Sequence, residues 1–213
     1  MLKNKIHTFA HMIAPIIGIE RHRITTDGQG VTTLVAFHGC PLRCRYCLNP
    51  QCFDEERKWR TVSPRELVEE VAVDNLYFVA TGGGVAFGGG EPLLRSAFIA
   101  EFCRIANPAW NISLETSLNV DTRHLKEVIP YVNHYYIDIK DMNPDTYRQY
   151  TGKDNSLVLT NLNLLATDIP QEKITIRLPL IPAYNNSTAR EASLKTLQSL
   201  GFTTFDLFNY IKP

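Results

Sequence analysis

The sequence predicts an α/β fold built on a parallel sheet, and two observations carry that prediction. Short apolar runs alternate with segments of helical period along most of the chain's 213 residues. Each run but the last is followed by such a segment, which implies parallel strands joined by right-handed crossovers. Second, the charged and thiol residues that stand out fall at the ends of these runs, where parallel α/β sheets carry their sites.

Taken in order, residues 5–16 place Ile6, Phe9, Ala10, Ile13 and Ile16 on one helical face, so 1–16 reads as an N-terminal helical extension. His7 and His11 lie one turn apart on it. Without an acidic third ligand they read as a surface pair, not a metal site. Ile17 to Gly39 reads as a hairpin turning at Asp27-Gly28-Gln29-Gly30 and leading into a first strand at 32–38. Ser63, Pro64 and Glu66 have capping-box spacing and open a helix over 64–74. Then follow strand 84–87, helix 93–106, strand 111–116, helix 121–129, strand 134–139, helices 143–150 and 157–167, strand 173–180, helix 187–200 and strand 203–209. That makes six strands. No repeat, low-complexity tract or linker interrupts them, so 1–213 reads as one domain.

Lys plus Arg equals Asp plus Glu at 22 each, and basic runs are absent. There is no electrostatic case for nucleic acid or an anionic membrane. No apolar stretch reaches the ~18 residues of a membrane span, and the start lacks the unbroken apolar segment of a signal peptide. A cytoplasmic monomer is expected. Five cysteines, three of them in one tight group, suit a reducing compartment better than a disulfide framework.

That group is Cys40-Pro41-Leu42-Arg43-Cys44-Arg45-Tyr46-Cys47, a C-x3-C-x2-C spacing just after the first strand. Soft thiolates suit Fe–S clusters and zinc. A structural zinc wants four protein ligands, and no partner pair follows at finger spacing. A 4Fe–4S cube on three cysteines leaves one iron open to a substrate or cofactor.

With Tyr46 before its last cysteine, the stretch resembles the radical SAM signature. Thr81-Gly82-Gly83-Gly84-Val85-Ala86-Phe87-Gly88-Gly89-Gly90-Glu91-Pro92-Leu93 resembles a block of the glycyl radical enzyme activating enzymes, the group that includes pyruvate formate-lyase activating enzyme. Asp138-Ile139-Lys140, Tyr150-Thr151-Gly152, Asn161-Leu162 and Ile176-Arg177-Leu178-Pro179-Leu180-Ile181-Pro182 resemble later blocks of that family.

The resemblance implies an open (β/α)6 partial TIM barrel of the radical SAM type. It implies that Cys40, Cys44 and Cys47 hold a 4Fe–4S cluster whose fourth iron is chelated by S-adenosylmethionine (SAM). One electron then cleaves the sulfonium to a 5′-deoxyadenosyl radical. Tyr46, Gly88, Gly89, Gly90, Glu91, Glu115, Asp138, Lys140 and Arg177 become the candidate SAM contacts. Glycines let the backbone approach a ligand, and Glu91 is expected to take hydrogen bonds from the methionyl ammonium. Glu115, Thr116 and Asp138 are a candidate site for Na⁺ or K⁺. The alternative pairs Glu115 with Lys140.

The chain departs from the family in three places. The arginine that usually follows the DGPG-like turn is replaced by Val31-Thr32-Thr33. The C-terminal histidine of relatives is missing, so either Asn209 or Tyr210 substitutes or the contact is absent. No ferredoxin-like insert follows the cysteines, which leaves Cys52 as an unligated thiol and Cys103 as a buried core residue.

The function implied is an oxidoreductase that takes hydrogen from a glycine Cα of a partner glycyl radical enzyme, with flavodoxin or ferredoxin as electron donor. The rivals are a radical SAM reaction on a small molecule or peptide, and a degenerate protein that binds a partner without chemistry.

Overall fold

The computed structural model describes residues 12–24 and 26–210. In chain order it contains β1 (Ala14–Ile24), β2 (Val31–Phe37), β3 (Arg60–Val62), α1 (Pro64–Val71), α2 (Asn75–Thr81), β4 (Gly84–Gly89), α3 (Ser96–Ile105) and β5 (Asn111–Thr116). It continues with α4 (Thr122–Val128), β6 (His134–Asp138), α5 (Pro144–Thr151), α6 (Ser156–Asp168), β7 (Ile174–Leu180), α7 (Ser187–Ser199) and β8 (Phe205–Asn209).

All eight strands form one sheet in the order β3-β1-β2-β4-β5-β6-β7-β8. The six from β2 to β8 are parallel, as the alternation predicts. The sheet does not close: β3 and β8 remain its two edges. This is the open, partial barrel. In the parallel register Phe37 lies beside Gly89, and Asp138 beside Arg177. The C-terminal ends of neighbouring strands are therefore level, and the loops after them share one rim.

The helix expected over residues 5–16 is not found at its described end. Ala14 and Ile16 belong to β1, where they pair with Val62 and Arg60 of β3, and Ile16 also with Phe37. Both are buried while Ile13 is 59% exposed. Apolar residues at 13, 14 and 16 fit a helix or a strand; two antiparallel partners decide for the strand. Residues 5–11, with His7 and His11, lie outside the described residues. The helix expected over 64–74 breaks after Val71, and a separate α2 follows. Its start carries the capping box that the sequence announces, with Ser63 and Glu66 exchanging bonds.

The core between sheet and helices is rich in rings. Phe37 stacks on Phe87 at 5.7 Å between centroids, and Phe87 meets Phe102 edge-on at 5.1 Å. Phe78, Phe87 and Phe102 are fully buried.

Candidate active site

The cysteine loop leaves the end of β2 and is fastened from outside. The Arg43 and Arg45 amides donate to the Thr151 and Tyr150 carbonyls, at 2.8 and 3.1 Å, at the C-terminal end of α5. The Arg43 guanidinium folds back onto the Cys40 carbonyl at 2.7 Å. Held this way, Cys40, Cys44 and Cys47 line a cavity of about 640 Å³ at the C-terminal ends of the parallel strands.

Ten of the thirteen residues singled out by sequence line that cavity: the three cysteines, Gly89, Gly90, Glu115, Thr116, Asp138, Lys140 and Arg177. Tyr46, Gly88 and Glu91 do not. The Tyr46 ring packs outside among Tyr150, Tyr184 and Tyr210, with centroids 5.7 to 6.4 Å away. Gly88 serves the packing of its neighbours: a Cβ there would stand 3.0 Å from the Glu115 carboxylate and 3.3 Å from Leu34. Gly90 is similar, since its Cβ would lie 2.1 Å from the Gly39 carbonyl oxygen. Close approach of chain to chain is what these glycines allow.

Glu91 turns inward rather than to a ligand. It is 1% exposed. Its carboxylate accepts from the Leu93 amide, the Thr116 hydroxyl, and the Ser117 amide and hydroxyl, at 3.2, 2.7, 2.9 and 2.6 Å. Burial raises its pKa against the pull of these donors. Glu91 bolts the Gly-rich turn to the end of β5.

The cation reading is not carried. Glu115 pairs with Arg177 at 2.9 Å, neither with Thr116 and Asp138 nor with Lys140. Lys140 sits 3.6 Å from Asp138, and the Thr116 hydroxyl is spent on Glu91. Among the described residues no three His, Cys, Asp or Glu gather round a single ion.

Sequence reasoning missed the contribution of β1 and its turn. Arg23 bonds to the buried Asp27 through two nitrogens. Arg177 donates to the Thr26 carbonyl at 2.6 Å and lies over the Tyr136 ring at 4.6 Å. Glu20, Arg23, Thr26 and Asp27 thus line the cavity with Asn49, Ser117 and Asp206. An acid before glycine reads only as a turn, and nothing local says that the turn enters the barrel. Of the two C-terminal candidates, Tyr210 lines the cavity and Asn209 is exposed outside it.

Five carboxylates (Glu20, Asp27, Glu115, Asp138, Asp206) face three cations (Arg23, Lys140, Arg177), a formal balance of −2 that suits a ligand of net positive charge. Burial raises the Glu115 pKa, Asp27 and Asp138 add to it, and Arg177 opposes. Burial works against the Lys140 charge, yet Asp138 and Cys44 hold its pKa above the usual lysine value. Burial pushes the Cys40 thiol up to about 12, and Cys44 in the same direction. Thiols must lose their protons to bind metal, so cluster assembly here releases them. The donor set fits a 4Fe–4S cube: three unpaired thiols on one cavity wall, with room beyond them.

The Glu115 shift has a checkable sign. Its carboxyl ordinarily titrates near 4.5 and here near about 7. Between those values the folded chain holds a proton that the unfolded chain has lost, so this contribution is complete below pH 4.5 and disappears as pH rises through 7. Wild-type protein should lose stability relative to Glu115→Gln between pH 5 and pH 8 in denaturant titrations. Parallel pH profiles would refute the shift.

The chain belongs to the radical SAM superfamily, whose profile matches residues 34–194. It therefore works with a 4Fe–4S cluster and S-adenosylmethionine. More particularly, it is 34% identical to the pyruvate formate-lyase-activating enzyme of Staphylococcus aureus, over 76% of this chain and 66% of that one. It is 26% identical to the indoleacetate decarboxylase activating enzyme of Tractidigestivibacter scatoligenes, over 87% and 78%. The solved structure of Streptococcus suis SuiB superposes with a TM-score of 0.62 at 13% identity, over 84% of this chain and 38% of that one, a likeness of fold. Among the described residues no helix is long and apolar enough to cross a membrane.

Proposed function

We propose that this chain activates a glycyl radical enzyme, taking a hydrogen atom from one glycine Cα of that partner. The observation that carries it is the single cavity that joins three unpaired thiols to a wall of fixed charges. When bound, the cluster and SAM supply one electron to a carbon–sulfur bond and the carbon centre that accepts the hydrogen.

The protein's own residues then have separable tasks. Cys40, Cys44 and Cys47 hold three irons. The backbone at Gly89 and Gly90 faces the cavity and suits the methionyl ammonium, with the Gly89 carbonyl kept in place by the Asn49 amide at 3.1 Å. Lys140 and Arg177 suit the ligand's carboxylate and ribose, and Asp138 its positive centre. Asp138 and Glu115 keep the two cations in place before a ligand arrives. Fixed charges of this kind orient a ligand without reorganising.

The open edge of the barrel favours a macromolecular substrate. A loop can approach laterally, and a glycine brings its Cα close because it has no side chain in the way. The partner must expose that glycine by local unfolding. The test is EPR on reduced, reconstituted protein with SAM and a candidate glycyl radical enzyme. A glycine-centred doublet is expected, with deuterium from that Cα in 5′-deoxyadenosine. If a small metabolite stimulates cleavage and loses the hydrogen, while no protein is labelled, the small-molecule reading replaces this one.

A further inference from the structure

Four basic residues ring the outer face of the cysteine loop. Arg43 and Arg45 flank Cys44 and are exposed, while the thiol between them lines the cavity. The loop's bonds to Tyr150 and Thr151 set both arginines beside the end of α5. That helix carries Arg148 in its last turn, and Lys153 follows its glycine cap. Arg43 is anchored on the Cys40 and Leu42 carbonyls and over the Phe53 ring. The Arg45 and Lys153 side chains have no hydrogen bond or ion pair among the described residues. Two acids adjoin them: Asp145, three residues before Arg148 on the same helix, and Asp154, which accepts from the Ser156 amide and hydroxyl. Beyond Phe53, the acids Asp54, Glu55 and Glu56 are followed by Arg57 and Lys58, while Arg60 is paired with Glu70. Four bases against Asp145 and Asp154 leave this face at +2, on a chain whose formal net charge is zero.

We infer that this face is the docking surface for a small one-electron carrier protein with an acidic rim round its redox centre. The inference rests on the cluster assignment of the proposed function. Electron transfer weakens steeply with distance, so a donor must dock where the cover over the cluster is thin. At Cys44 the cover is the ligand loop and the end of α5 that fastens it. None of the four basic side chains lines the cavity, so a donor seated on them leaves the mouth free for SAM and the activated partner. Complementary charge mainly sets encounter rate and orientation, and this suits a carrier that must also leave.

The test uses cluster-loaded protein and reduced flavodoxin, with stopped-flow absorbance following cluster reduction. The double variant Arg45→Glu/Lys153→Glu should lower the second-order rate constant about tenfold or more at low salt, and should flatten its dependence on ionic strength. The milder Arg45→Gln/Lys153→Gln pair should fall between it and wild type. Dithionite needs no docking site, so dithionite-driven reduction and SAM cleavage should stay within about twofold of wild type in both variants. Wild-type rates with flavodoxin in the charge-reversed protein would overturn the inference. So would a loss of partner activation under dithionite with cluster and SAM cleavage intact, because the face would then belong to the activated enzyme. Wild-type chain that binds no cluster would instead sink the functional reading, before any donor is added.

Discussion

Alanine at any one of Cys40, Cys44 or Cys47 is expected to remove the cluster and all SAM cleavage, while alanine at Cys52 or Cys103 leaves both in place. The first three thiols share one cavity wall on a single short loop, and a cube held by two of them lacks a ligand that no neighbour can supply. Cys52 is the informative control. It also touches the cavity, but it is 2% exposed and its sulfur points at the Phe37 carbonyl at 3.9 Å. Cys103 sits on α3 against the core. Anaerobic wild-type protein should be brown, with about four irons per chain. Iron content and absorbance of the five variants decide the matter. Loss of the cluster in Cys52→Ala but not in Cys40→Ala would overturn the assignment.

Glu91→Ala is expected to destabilise the cluster-free chain by roughly 1–3 kcal/mol, because the buried Leu93 amide loses its acceptor; the Ser117 amide stands at the cavity wall, where water can replace the carboxylate, and adds less. The hydroxyls of Thr116 and Ser117 can rotate to other partners, so they add less. Glu91→Gln should cost less than alanine but more than nothing. Its amide nitrogen must face either the Leu93 or the Ser117 amide, a donor against a donor. If Glu91 served only a ligand, both variants would unfold in denaturant like wild type and differ only in SAM binding. That outcome would restore the role the sequence suggests.

Much of the architecture was legible in the sequence because alternating apolar runs and helical segments admit few arrangements. The six parallel strands and their order of crossovers follow from that alternation. So does the placement of Cys40, Glu115 and Asp138 at strand ends. What sequence could not supply is pairing across the barrel. Glu115 is 62 residues from Arg177 and 25 from Lys140, and spacing says nothing about which ammonium or guanidinium lies nearer in space. The direction of Glu91 was hidden for the same reason: its partners come from the next strand's end. β1 was misread at its start because three apolar positions do not fix a period, and β3 is too short to show one.

The turn at 26–30 has a consequence for the order in which this molecule can mature. Its first two residues, Thr26 and Asp27, line the cavity, and the Arg177 bond to Thr26 that holds it spans 151 residues. The cysteine loop is likewise tied to the end of α5. On the ribosome, the three thiols emerge when neither support has been made. A nascent chain that ends before Arg177 lacks that bond, so cluster loading is expected only after the chain through β7 has folded.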